Sequence, residues 1–262
     1  MTPAGHTTPP GRTVTVAVLD TGIAPHPWWS GTDWFAEVSR DAADLPDADL
    51  DYRLDAQAGH GTFVAGLVLR AAPTARLIVA RVLDADGVGD DLRLLRALGG
   101  PPGRADVINM SFGGYTLDDG PSPLVARVVA TLARHRAIVA AAGNDASGRP
   151  YWPAALPEVI AVGALDAAGR PAAFTNRGRW VDTYAPGTDV TSTFLTFDGP
   201  RPAVRGIDPD AFDGYAIWSG TSFAAAAISG AIAAAMAKAG QHDGPGRHTN
   251  RDRPVRAPED RR

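Results

Sequence analysis

Short runs of β-branched and small apolar residues alternate along this chain with longer stretches whose apolar positions follow helical spacing. Residues 14–19 (VTVAVL) stop abruptly at Asp20-Thr21-Gly22, which predicts a buried strand with Asp20 at its C-terminal tip. Further strands are predicted at 77–83, 106–110, 137–142, 159–163 and 180–184. Between them, residues 60–69 are apolar on nearly every side and end before Pro73, and 92–98 and 124–135 carry the spacing of amphipathic helices. Strand and helix patterns in alternation predict an α/β fold of three layers, a mostly parallel sheet with helices on both faces.

The stretch from Trp218 to Lys238 is the most apolar of all. From Phe223 to Ala237 it carries no charge and is mostly Ala, with Ile228, Ile232 and Met236. That composition predicts a helix enclosed by protein on every side. Its length also admits a membrane span, but Ala, Gly and Ser contribute little to insertion, so no membrane partner is expected. Ser219-Gly220-Thr221-Ser222 sits where this helix begins, beside unpaired backbone N–H groups and the positive end of the helix dipole. A hydroxyl there is either a cap or a nucleophile.

Composition narrows the function classes. A chain of 262 residues is the size of one large domain, with a formal charge of −4 and no long basic block outside its C-terminal tail, so nucleic acid is not an expected partner. The absence of cysteine excludes disulfides, thiolate metal sites and a thiol nucleophile. Residues 1–12 are rich in Pro, Gly and Thr and read as a disordered arm, residues 13–239 as the domain, and residues 240–262 as a disordered polar tail. The N-terminus has neither a basic start nor an apolar core of the kind a secretory signal needs, so a cytoplasmic location is expected. Between Pro25 and Ala58 no periodicity is sustained, and the acids there (Glu37, Asp41, Asp44, Asp47, Asp49, Asp51, Asp55) read as a solvated loop rather than a cation site. The loop 84–91 has its Gly in the wrong place for an EF-hand and lacks the closing Glu.

Four polar groups fall where predicted strands end or helices begin: Asp20, His60, Asn144 and Ser222. This is the edge at which open α/β sheets build their sites. Acyl transfer needs these residue types. A serine hydroxyl requires a base to take its proton, and His60 titrates in the right range. A carboxylate must fix the imidazole, for which Asp20 is the candidate, and the oxyanion needs donors such as the Asn144 amide and the Ser222 N–H. Each signal taken alone also fits a cap, a turn or a surface residue; their order along the chain, Asp, His, Asn, Ser, is the specific feature.

In that order, and in the stretches around Asp20-Thr21-Gly22, Gly59-His60-Gly61-Thr62, residues 109–114 (NMSFGG), Ala141-Ala142-Gly143-Asn144 and Ser219-Gly220-Thr221-Ser222, the chain resembles the subtilisin family of serine peptidases over roughly residues 14–239. The resemblance implies Asp20 as orienting acid, His60 as general base and acid, Ser222 as nucleophile and Asn144 as oxyanion donor. It implies an extended peptide or protein substrate lying between Gly87-Val88-Gly89 and Ser111-Phe112-Gly113 as an added strand. It further implies that Ala141-Ala142-Gly143 lines one wall of the first specificity pocket, with room for a sizeable apolar side chain unless Tyr151 or Arg149 shortens or charges it. Phe223-Ala224-Ala225-Ala226 departs from the family's Met-Ala-Ser/Ala-Pro, and Phe63 replaces a second His. The helix after His60 runs straight to Pro73, so the calcium loop of many relatives is expected to be missing there, and no folding pro-segment is expected before Val14. No cofactor is required, calcium stays possible without a clear site, no metal-ligating residue is assigned, and the oligomeric state is open. Two functions follow: a serine endopeptidase working through an acyl-enzyme, either general or devoted to processing one substrate, or a catalytically weak or inactive relative that binds extended peptides by strand addition. A dinucleotide-binding fold is excluded, because no Gly-rich fingerprint follows the first strand.

Overall fold

The computed structural model describes residues 13–38, 42–199 and 211–242. Six parallel strands form the main sheet: β1 (Thr15–Asp20), β2 (Arg76–Arg81), β3 (Val107–Met110), β4 (Ala137–Ala141), β5 (Ile160–Leu165) and β6 (Thr183–Pro186), in the order β2-β1-β3-β4-β5-β6. The chain leaves β1 for one edge and then returns to its other side at β3. The strand order therefore reverses at the β1/β3 boundary, and a crevice opens beyond the strand C-termini there.

The period of two in the strands builds two cores. Val16, Val18, Val79, Val107, Val139 and Val162 face one side with Phe63, Val64 and Val68 of α2 (His60–Ala71) and Phe223 to Ala226 of α5 (Thr221–His242). Ala17, Leu19, Ile108, Met110, Ile138 and Ala140 face the other, beneath Leu94 and Leu98 of α3 (Asp91–Gly99) and Val125 and Val129 of α4 (Pro123–Leu132). Helices thus cover both faces, as the alternation of patterns predicts.

Three features differ from the sequence expectation. A short helix, α1 (Asp33–Val38), lies in the stretch without sustained periodicity and buries Trp34 and Phe35. Beyond the sheet, β7 (Val190–Asp198) and β8 (Ala211–Trp218) form an antiparallel pair that no hairpin signal announces. Its Ser192 and Thr193 side chains donate to the Phe63 and Thr62 carbonyls at 2.8 and 2.9 Å, docking the pair on α2. Finally, α5 is enclosed only in its first half: Thr221 to Ala226 are buried, while Ala231, Ala235 and Met236 are exposed. Its length and apolarity would suffice to cross a membrane, but its packing on α2 and the central strands is that of a core helix. The proposed arm of residues 1–12 and residues 243–262 of the tail lie outside the described residues.

Candidate active site

Asp20 ends β1 with its side chain wholly buried. One carboxylate oxygen, Oδ1, accepts from the Thr21 N–H at 2.8 Å and from His60 Nδ1 at 2.7 Å. A carboxylate can only accept, so the imidazole proton sits on Nδ1, and Nε2 of the neutral ring is left with its lone pair. His60 is the first residue of α2 because Gly59 before it turns left-handed, at φ 79°, and starts the helix abruptly. The helix approaches β1 closely at Gly61, where a Cβ would lie 2.1 Å from the Gly22 carbonyl oxygen and 3.1 Å from Asp20 Cβ. Small size at position 61 is what lets the imidazole reach Asp20.

Burial pulls the His60 pKa down, but the Asp20 charge, its hydrogen bond and the charge of Asp44 outweigh that, and the net shift is upward from 6.5. Asp44 is 8% exposed, and its carboxyl is pushed up to about 6, chiefly by burial. The imidazole also meets two aromatic rings, Trp218 edge-on and Phe223 tilted, each with centroids 5.5 Å away. Phe223 follows Ser222 directly, so this contact draws the start of α5 to the imidazole.

Ser222 is the second residue of α5, so its N–H has no carbonyl one turn earlier within the helix. Its hydroxyl donates to the Ser111 carbonyl at 2.9 Å, and the Ser111 hydroxyl donates back to the Ser222 carbonyl at 3.0 Å. The resting hydroxyl is thus turned toward the end of β3 and not toward the imidazole. Asn109 supports this pair from β3: its Nδ2 donates to Ser111 Oγ at 2.8 Å, and its Oδ1 accepts from Ser229 of α5 at 2.9 Å.

Asn144 follows β4 and Gly143. Its Oδ1 accepts from both the N–H and the hydroxyl of Thr221, each at 2.9 Å, which leaves the Nδ2 amide as the free donor beside Ser222. The Thr221 hydroxyl in turn accepts from the Gly143 N–H at 3.0 Å. The structure therefore gathers Asp20, His60, Asn144 and Ser222 at one rim, around the ends of β1, β3 and β4.

Asn176 escaped the sequence reading. It is fully buried, donates from Nδ2 to the Ala142 carbonyl (2.8 Å) and the Tyr115 hydroxyl (2.9 Å), and accepts at Oδ1 from the Asp145 and Ser147 N–H groups. Both ends of its amide hold the loop that presents Asn144. No local pattern marks it, because its partners lie roughly 30 or more residues away in sequence.

Gly87 and Gly89 line a cavity of about 270 Å³ together with Phe112 and Gly113, and Val88 between the two glycines is 62% exposed. Ala141 and Ala142 are 3% and 0% exposed, so neither methyl offers surface to a bound side chain. The Tyr151 ring lies against Gly113 and Gly143, the shortening that the sequence leaves open at this wall. Arg149 brings no free charge, being paired with Asp119 at 2.7 Å. Among the described residues, Asp47, Asp49 and Asp55 bring carboxylate oxygens within 4.8 Å of one another on the acidic loop. Backbone N–H groups already donate to all three: Asp51 and Tyr52 to Asp47, Ala48 to Asp55, and Asp51 to Asp49 Oδ1 at 3.2 Å.

The model of the Subtilase family matches residues 11–253. The chain is 34% identical over 244 residues to a thermophilic serine proteinase of Bacillus sp. (strain AK1), covering 87% of this chain and 53% of that protein. It is 34% identical to the minor extracellular protease Epr of Bacillus subtilis over 71% of this chain and 28% of that protein, and 31% identical to the subtilisin of Bacillus pumilus over 87% and 78%. The chain thus spans about half or less of the length of the first two. Among solved structures, a cold-adapted subtilisin-like serine proteinase superposes with a TM-score of 0.64 at 26% identity, over 87% of this chain and 76% of that one. A lanthipeptide protease shares the fold at TM-score 0.63 and 22% identity, over 87% and 74%. With every described residue inside the family match and the four polar groups converging at one sheet edge, this protein belongs to the subtilase family.

Proposed function

We propose that the protein is a serine endopeptidase that cleaves peptide bonds through an acyl-enzyme on Ser222. The observation that carries this reading is the 2.7 Å bond between Asp20 and His60 Nδ1, which leaves Nε2 as the base beside the start of α5. In the first step the Ser222 hydroxyl leaves the Ser111 carbonyl by a rotation of its side chain and passes its proton to His60 Nε2 as Oγ attacks the substrate carbonyl carbon. The oxyanion forms between Asn144 Nδ2 and the Ser222 N–H, both fixed before reaction. His60 then protonates the leaving amine, the C–N bond breaks, and water repeats the sequence to release the acyl group. The substrate backbone lies extended between 87–89 and 111–113, where exposed Val88 and the shared cavity leave room for an added strand. A narrow substrate range, as in a processing enzyme, fits the covered pocket at Tyr151.

One observation favours a second reading, a peptide-binding relative without turnover: the Ser222 hydroxyl rests on Ser111 and not on His60. A fluorophosphonate probe separates the two. The peptidase reading expects one adduct on wild type, located at Ser222, and none on Ser222→Ala; wild type that binds extended peptides yet takes no probe supports the binding module.

A further inference from the structure

A carbonyl carbon in reach of Ser222, with its oxygen toward Asn144, places the residue that carries it between the ends of β3 and β4. Ser222 Oγ sits on the Ser111 carbonyl, and Asn144 follows Gly143 directly. The side chain of that residue has to descend between segments 111–113 and 141–143. The Tyr151 ring occupies that space. A Cβ on Gly113 would lie 2.4 Å from Tyr151 Cε1, and one on Gly143 would lie 3.1 Å from Tyr151 Cδ1 and Cγ, so the ring touches both walls.

The ring is also held in place. Tyr115 packs edge-on against it at 5.1 Å, and the Arg149 guanidinium stands 5.1 Å from the Tyr115 centroid. The next residue, Trp152, exchanges two backbone hydrogen bonds with Gly114, at 2.8 and 2.9 Å. The neighbouring charges are engaged: Arg149 with Asp119, and Asp145 with the Tyr115 hydroxyl at 2.9 Å. What faces the incoming side chain is therefore an aromatic ring in a fixed position, with no free charge beside it.

We propose that Tyr151 forms the floor of the pocket for the residue preceding the scissile bond and restricts it to small side chains, Gly, Ala or Ser. The proposal rests on the peptidase reading and names the substrate class of that same site. A larger side chain meets a packed ring whose displacement would disturb both glycine walls.

The test uses the full chain and peptidyl diphenyl phosphonates that differ only in the side chain next to phosphorus, methyl (as in Ala), benzyl (as in Phe), isobutyl (as in Leu) or guanidinopropyl (as in Arg), with adduct formation at Ser222 followed by intact mass. The Ala-type reagent is expected to react at least 10-fold faster than the Phe-type or Leu-type one. Tyr151→Ala is expected to raise the Phe-to-Ala rate ratio at least 10-fold, and Tyr151→Phe, which keeps the ring, is expected to leave it within about 2-fold. Should Tyr151→Ala fail to fold, the wild-type ranking and Tyr151→Phe decide. A fastest rate with the Phe-, Leu- or Arg-type reagent overturns the proposal, as does an unmoved ratio in folded Tyr151→Ala. Silence of all four while a simple fluorophosphonate still labels Ser222 also overturns it and leaves the peptidase reading intact. Failure of that simple probe on wild type overturns the peptidase reading, and the pocket assignment falls with it.

Discussion

Ser222 and Ser111 exchange hydrogen bonds, hydroxyl to carbonyl in each direction, at 2.9 and 3.0 Å. The pair ties the first turn of α5 to the end of β3 and sets where the Ser222 hydroxyl rests. Ser111→Ala removes only one of the two bonds, leaving the Ser222 carbonyl and Asn109 Nδ2 without their buried partner. It is expected to cost about 1–2 kcal/mol of stability, read as a thermal midpoint lower by roughly 2–8 °C. Fluorophosphonate labelling should survive, because the Ser111 carbonyl that receives the resting hydroxyl is backbone. Loss of labelling in a folded Ser111→Ala protein would show that the hydroxyl itself is needed for reaction.

Asn144 has its oxygen clamped by Thr221 and its amide nitrogen free, which suits it to bind charge that develops on the substrate and not the substrate itself. Asn144→Ala should therefore lower kcat by about 100- to 1000-fold with little change in KM. Asn176→Ala acts on the same group at one remove. With four hydrogen bonds to its side chain lost in a buried site, it is expected to cost about 3 kcal/mol or more and to lower kcat through a displaced Asn144. Steady-state kinetics on the two variants, with urea unfolding of the second, measure both effects. An unchanged kcat in Asn144→Ala would remove it from the oxyanion site.

The raised His60 pKa fixes the sign of two pH effects. A base works when neutral, so the rising limb of kcat/KM should lie above pH 6.5. In the folded protein the imidazole holds its proton more tightly than in the unfolded chain. Its contribution to stability is therefore full below about pH 6.5 and is lost as pH climbs through the higher folded value. Asp20→Asn removes the charge that offsets burial. The expected result is a fall in kcat of about 10⁴-fold and a rising limb displaced to lower pH in the residual activity. A limb that stays in place would mean that another group controls it.

The elements that carry Asp20, His60 and Ser222 were legible in the sequence because strong local signals mark them. A β-branched run ends at Asp20, a Gly precedes His60, and a polar cluster opens an uncharged helix at Ser222. The β7–β8 pair was not legible: Ser192 and Thr193 face the α2 backbone, so polar residues occupy buried positions where alternation predicts apolar ones. The exposed second half of α5 is not legible, because Ala is compatible with either core or surface and only the neighbours of Ala231 and Ala235 decide. The size of the pocket was hidden for a related reason. Ala141-Ala142-Gly143 are small, but what fills the space beside them comes from Tyr151, whose ring direction is a tertiary fact.

Asp44 is a second buried carboxyl near the Asp20–His60 pair, and it works against the fold at neutral pH. Its pKa rises from 3.8 to about 6, with burial the largest cause, opposed by hydrogen bonding from the Gly59 backbone. The folded protein thus binds this proton more tightly than the unfolded chain does. Stability from this group is highest below pH 3.8, declines as pH rises toward about 6, and levels off above that at a cost of at most about 3 kcal/mol. Asp44→Asn keeps the shape and an acceptor for Thr62, which donates to Asp44 Oδ2 at 3.2 Å, and removes the charge. The variant should gain stability over wild type at pH 8 and lose that gain at pH 4, as read by urea unfolding at the two pH values. The same charge helps to raise the His60 pKa, so the rising limb of kcat/KM should move to lower pH while kcat on the plateau stays near wild type. A stability difference that is equal at pH 4 and pH 8 would mean that Asp44 titrates in the folded protein as it does in the unfolded chain, and its influence on His60 would then have to be assigned elsewhere.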